Sequence, residues 1–260
     1  MSLWHETNGT GYPLVLIHGW GMNSAVWEPL LEKLTRSYEV TCVDLPGHGH
    51  SAEAYDDSAS LGDWAQAVAD VVPANAGWLG WSLGGKVALK AAVDNLLPVD
   101  RLFMMASTPS FQRRKNWSCA MKAEVLEQFS QNLKEDIDGT LGRFLGLQIK
   151  GSDHSRELLR SLKKGFAKRP SASEAALHAG LGFLQSVDLR DKLQTLQCPT
   201  FWMHGDKDTL SPACAVSQID ELMQASGVSV ITRVIKGAAH VPFLSHPDET
   251  FQAIEDWLKQ

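Results

Sequence analysis

The chain has 260 residues, a formal net charge of −6, 44% hydrophobic and 21% charged residues. That length suits one domain with a sizeable core and an insertion, and the composition is that of an ordinary globular protein. The acidic balance argues against nucleic acid as a general partner. The lack of an apolar run of about 18 residues argues against a membrane span.

The first six residues carry neither a basic n-region nor an apolar h-region, so no secretory leader is expected. Strands and helices then alternate. Leu3 to Thr7 is a candidate antiparallel edge strand. Strands are predicted at 14–18, 38–43, 77–81 and 101–106, and helices at 24–35, 61–72 and 83–94. This alternation predicts an α/β fold, a mostly parallel doubly wound sheet with helices on both faces. From about 110 to 186 the strand signal vanishes and helical periodicity takes over, in Met121 to Leu133, Ile137 to Gln148, Ser155 to Phe166 and Ser173 to Leu184. The segment is too long for an ordinary loop. It is read as a helical lid, or cap, inserted into a core made of 1–109 and 187–260. Strands at 199–204 and 229–235 and a helix from Pro247 to Leu258 complete the core. The four cysteines, Cys42, Cys119, Cys198 and Cys214, are far apart and lack metal-ligand spacing. They are expected to be reduced, mostly buried thiols in a cytoplasmic protein. No metal or organic cofactor is expected.

The chemistry concentrates in loops that follow strands. Gly80-Trp81-Ser82-Leu83-Gly84 fits G-x-S-x-G, a sharp strand-to-helix turn that lifts a serine hydroxyl above a sheet. A Cβ at either flanking glycine would clash with the neighbouring strand or helix. A nucleophilic serine needs a base, and the base needs an orienting acid, in the chain order serine, acid, histidine. His240 lies just past a predicted strand and is the candidate base. The loop Gly205-Asp206-Lys207-Asp208-Thr209-Leu210-Ser211-Pro212 offers two acids. Asp208 has the usual spacing, G-x-x-D-x-x-x-P; Asp206 reads as a turn-former that bonds backbone groups. An oxyanion needs two donors. The backbone N–H of Leu83 is one, and that of Trp20, in His18-Gly19-Trp20-Gly21, is the other. His18 reads as structural, as do Asp44, His48 and Ser51 in the loop after the second core strand.

These pieces together resemble the α/β-hydrolase superfamily across nearly the whole chain. A narrower resemblance rests on His18-Gly19-Trp20-Gly21-Met22-Asn23, Gly80-Trp81-Ser82-Leu83-Gly84-Gly85, Arg143-Phe144-Leu145-Gly146-Leu147-Gln148 and Ala238-Ala239-His240-Val241-Pro242-Phe243-Leu244-Ser245-His246-Pro247. In that order and spacing they are similar to the carboxylesterases of bacterial biotin synthesis, which cleave the methyl ester of pimeloyl-acyl carrier protein. The resemblance implies acyl transfer to water through Ser82, Asp208 and His240. It also implies substrate contacts at Trp20, Leu83, Phe144, Leu145, Gly146, Leu147 and Gln148, and a monomeric enzyme.

Between Arg143 and Arg169 lie eight basic and two acidic residues, a stretch of +6 in a chain whose remainder sums to −12. Arg156, Arg160, Lys163 and Lys164 fall on one helical face, with Leu159, Leu162 and Phe166 on another. By itself this is a solvated amphipathic face. With the resemblance it becomes a docking face for an acidic carrier protein, centred on Arg143, Arg156 and Arg160. The family can carry a second Arg one turn before Arg143, where this chain has Gly139. Rival readings are a general short-chain esterase, a carbon–carbon bond hydrolase, and a non-catalytic receptor or scaffold.

Overall fold

The computed structural model describes residues 2–224 and 226–259. Its centre is a seven-stranded sheet of β1 (His5–Asn8), β2 (Tyr12–Ile17), β3 (Tyr38–Val43), β4 (Ala76–Trp81), β5 (Val99–Met105), β6 (Thr200–Gly205) and β7 (Val230–Ile235), in the order β1-β3-β2-β4-β5-β6-β7. Only β1 is antiparallel, pairing with β3 at the edge; the other pairings are parallel. The expected α/β-hydrolase fold is the one observed. Helices cover both faces, so the central strands read as unbroken apolar runs rather than alternating ones. All six residues of β4 are buried, as are the last four of β2.

The flanking helices are α1 (Glu28–Leu34), α2 (Leu61–Ala69) and α3 (Leu83–Val93). Four more, α4 (Ala123–Glu135), α5 (Ile137–Gln148), α6 (Ser155–Phe166) and α7 (Glu174–Ser186), lie between β5 and β6 in the chain. They are followed by α8 (Ala215–Met223), α9 (Pro242–Ser245) and α10 (Pro247–Leu258). Successive strand residues feed opposite cores: Trp78, Leu102 and Met104 pack on one face, and Leu79, Phe103 and Phe201 on the other.

Three local expectations are corrected. The helix predicted over 24–35 begins as a 3-10 turn, Ser24–Trp27, before α1. Pro29 lacks the N–H that a continuous helix would need there and suits the first turn of a new one. Helix α2 stops at Ala69 rather than at 72, in keeping with Pro73, which pushes the residue before it out of helical geometry. Cys119 and Cys214 form a disulfide rather than remaining free thiols, with 5.5 Å between their Cα atoms. Their separation of 95 residues hid the pairing; the fold lays the segment before α4 against the start of α8. Cys42 and Cys198 are free and buried, and burial pushes their thiols up to about 12 and about 11.

On α6, Leu158 and Leu162 are buried, Leu159 and Phe166 are half-buried, and Arg156, Arg160, Lys163 and Lys164 are exposed. The rest of the basic run is partly spoken for. Lys168 pairs with Glu28. Arg169 turns inward to Asp44 at 3.4 Å, with its guanidinium 3.8 Å from the centre of the Trp4 ring. These two residues anchor the α6–α7 connection to the core.

Candidate active site

Strands β2 and β4 are neighbours, but the chain leaves them in opposite directions, toward β3 from β2 and toward β5 from β4. Such a divergence opens a crevice at the carboxyl ends of the strands. The His18–Gly21 loop and Ser82 both sit at that point.

Ser82 has φ 55° and ψ −117°, a conformation that side chains with a Cβ rarely adopt. The surroundings impose it. The Ser82 N–H donates to Met105 O at 3.0 Å, and Ser82 O accepts from the Lys86 N–H at 3.2 Å and from Ser107 Oγ at 2.7 Å. The flanking glycines are required by space: a Cβ at Gly80 would lie 2.4 Å from Gly85 Cα, and one at Gly84 would lie 2.3 Å from Ile17 O. Leu83 is the first residue of α3, so its N–H has no acceptor within the helix. The His18–Gly21 loop runs alongside, close enough that a Cβ on Gly19 would lie 3.2 Å from Ser82 Cβ.

His18 is fully buried and accepts from the Leu45 N–H at Nε2 while Nδ1 donates to Gly19 O. Burial lowers its pKa despite Asp44 nearby, and a neutral ring with both nitrogens engaged is a structural device. Asp44 likewise accepts from the backbone N–H groups of Ser24 and His50.

The two candidate acids separate cleanly. Asp208 Oδ2 lies 2.7 Å from His240 Nδ1, and its Oδ1 accepts from the N–H groups of Leu210 at 2.8 Å and Ser211 at 3.0 Å. Both side chains are almost fully buried. Asp206 does not reach the histidine. Its Oδ1 accepts from the Gly237 N–H at 2.7 Å, tying the loop after β6 to the loop after β7. His240 is positioned by its backbone: its N–H donates to Gln148 O at 2.9 Å and its O accepts from the Trp81 indole at 2.8 Å. Its Nε2 is buried and finds no hydrogen-bond partner among the described residues, which leaves it available to a hydroxyl.

Ser82 opens into a narrow, apolar cavity, with a free volume of only about 10 Å³. Its wall joins Trp20 and Leu210 of the core to Phe111, Phe129, Phe144 and Leu184, which come from the segment between β5 and β6. The Trp20 indole donates to Leu177 O at 2.8 Å and meets Phe144 edge-on at 4.8 Å between ring centres. Of the Arg143–Gln148 run, Phe144 faces this cavity. Leu145 is buried in the opposite core, Leu147 is half-buried, and a Cβ on Gly146 would meet open space. Gln148 is fully buried beside His240, and both its side-chain polar atoms lack a partner among the described residues. Phe129 and Leu184 read in the sequence as ordinary helix-packing residues, and Phe111 falls in the irregular stretch before the first of these helices, so none of the three stood out. Among the described residues, no group of three or more His, Cys, Asp or Glu is placed to hold a metal ion.

The chain belongs to the alpha/beta hydrolase family, whose model matches residues 14–253. Its fold matches that of an esterase from Exiguobacterium antarcticum with a TM-score of 0.88, at 23% identity over 99% of this chain and 96% of that one. It is 41% identical, over 100% of its own length and 98% of the relative's, to the pimeloyl-acyl-carrier-protein methyl ester esterase of Aliivibrio fischeri (strain MJ11). It is 40% identical to the protein of the same description from Xylella fastidiosa (strain M23), over 97% of each chain.

Proposed function

We propose that this chain is a serine carboxylesterase that hydrolyses the methyl ester of pimeloyl-acyl carrier protein, freeing the pimeloyl carboxylate for biotin synthesis. The observation that carries this is end-to-end identity of about two residues in five with relatives so described. The buried Asp208–His240 pair, whose histidine carbonyl is held by the indole of Trp81, the residue before the strained Ser82, supports it.

In this reading His240 takes the Ser82 proton through Nε2 as the hydroxyl attacks the ester carbonyl. Asp208 holds Nδ1 protonated and stabilises the imidazolium. The N–H groups of Trp20 and Leu83 receive the oxyanion, a contribution of about 3–4 kcal/mol for one such donor in comparable enzymes. Methanol departs with the proton from His240. Water then attacks the acyl-enzyme with His240 as base. An apolar wall suits an acyl chain that is uncharged while its far carboxyl is esterified. The helical segment 110–186 acts as the lid over that chain.

The deciding assay compares pimeloyl-carrier-protein methyl ester with p-nitrophenyl esters of increasing chain length. We expect the carrier-protein ester to be hydrolysed efficiently, and the p-nitrophenyl series to decline beyond about six carbons because Trp20 and Phe144 bound the cavity. Rising activity toward twelve-carbon chains would point to a lipase-like site, and failure on the carrier-protein ester alone to a general short-chain esterase.

The carrier protein docks, in this reading, on the exposed Arg143, Arg156 and Arg160. Opposite charge mainly speeds encounter and sets orientation, and salt screens it. Reversing all three charges is therefore expected to raise KM for the carrier-protein ester by about tenfold while barely changing hydrolysis of a small free ester. Added salt should bring the wild type toward the mutant. Equal losses on both substrates would assign these arginines to lid structure. The biotin-synthesis role implies a cytoplasmic setting. No helix among the described residues is long and apolar enough to cross a membrane.

A further inference from the structure

Lys86 lies on α3, one turn beyond Ser82, and its side chain is 0% exposed. A lysine is almost never fully buried unless its ammonium group is engaged. Here Nζ donates to Pro109 O at 3.1 Å and to Val187 O at 2.7 Å. Pro109 immediately precedes the segment 110–186 that carries the four added helices, and Val187 caps the C-terminus of the last of them. One side chain therefore holds both junctions of a long insertion at a single point beneath the serine.

The junctions are also fastened to each other. The Leu189 N–H donates to Pro109 O at 3.0 Å, and Arg114 Nη2 donates to Gln185 O and Ser186 O at 2.9 and 2.8 Å. Two residues beyond Pro109 is Phe111, and three before Val187 is Leu184; both form the cavity wall that Ser82 faces. Phe111 additionally presents its ring 5.6 Å from Nζ.

We propose that Lys86 is a positioning residue: it pins both ends of the lid to the nucleophile helix and thereby sets where Phe111 and Leu184 stand against the acyl chain. The charged groups that face it are Asp188 and Arg114, of opposite sign. Burial pushes its pKa down to about 7, with Asp188 opposing and Arg114 assisting. A neutral amine still has two N–H donors, enough for both carbonyls, so the clamp does not depend on the proton. The feature distinguishes Lys86 from a general base: it touches no reacting atom, and its donors are spent on the backbone.

The proposal rests on the serine esterase reading, and the test separates the two. Lys86→Met keeps the length and apolar volume of the stem and removes both donors. Lys86→Gln keeps a donor on a shorter arm. Each is assayed on p-nitrophenyl acetate, whose acyl group is too short to need the wall, and on p-nitrophenyl hexanoate. Wild-type turnover of the acetate ester, with labelling by a small fluorophosphonate, checks the esterase reading independently. For Lys86→Met we expect the hexanoate-to-acetate ratio of kcat/KM to fall roughly tenfold, the scale of losing buried hydrogen bonds that fix a wall. The loss should appear chiefly in KM for hexanoate. A purely structural role would reduce the active fraction, lowering kcat on both esters and leaving both KM values alone. If Lys86→Met does not fold, the same ratio in Lys86→Gln decides. An unchanged ratio in the variant that folds overturns the proposal, and so does failure of both variants to fold, which would make Lys86 a requirement of the core.

Discussion

Replacing Ser82 with alanine is expected to abolish ester turnover and covalent labelling by a fluorophosphonate, while leaving the protein folded. Loss of the nucleophile in a triad that acts as a unit lowers kcat by about 10⁶-fold in comparable enzymes. The fold should persist because only a hydroxyl is removed, and the hydrogen bonds that fix this residue belong to its backbone. Alanine retains the unfavourable φ of 55°. Glycine does not suffer it, so Ser82→Gly should be more stable than Ser82→Ala by about 1–3 kcal/mol in urea titration. Residual acyl-enzyme in either mutant would take the nucleophilic role away from Ser82.

Asp208→Asn should reduce kcat by about 10⁴-fold, as the equivalent change does in another serine triad. An asparagine there turns an N–H toward His240 or forces the ring proton to Nε2, the nitrogen that must be free to take the serine proton. Asp206→Asn should change turnover by less than about tenfold, because the asparagine carbonyl can still accept from the Gly237 N–H. Kinetics of the two mutants side by side, with circular dichroism to check folding, settle the assignment. A larger loss at Asp206 would reverse it.

Much of this architecture was legible because it follows from local rules. Unbroken apolar runs such as Leu14–Ile17 announce strands covered on both faces, and glycines at 80 and 84 announce a turn where only a hydrogen fits. The choice between Asp206 and Asp208 could be argued from spacing, but the two roles depend on which carboxylate meets His240 across 32 residues, which no local rule contains. Helix α8 was overlooked although Ala215, Ile219 and Met223 have helical spacing, because the Pro- and Cys-containing loop before it masked the start. The Cys119–Cys214 bond and the two carbonyls on Lys86 were out of reach for a stronger reason. Each joins segments that are distant in the chain and meet only in the folded protein. In the sequence Lys86 is simply one basic residue in an apolar helix.

The apolar wall of the cavity has a consequence for what happens after the bond breaks. Hydrolysis turns a neutral ester into an anion beside Ser82, where the side chains of Trp20, Phe144, Leu184 and Leu210 form an apolar wall. These side chains cannot solvate a carboxylate, so the backbone N–H groups proposed for the oxyanion are the donors left to it, fewer than water would provide. The free acid should therefore compete poorly with the ester for the same space. Poor retention of the acid limits product inhibition, while the direction of the reaction is set by the equilibrium of ester hydrolysis in water.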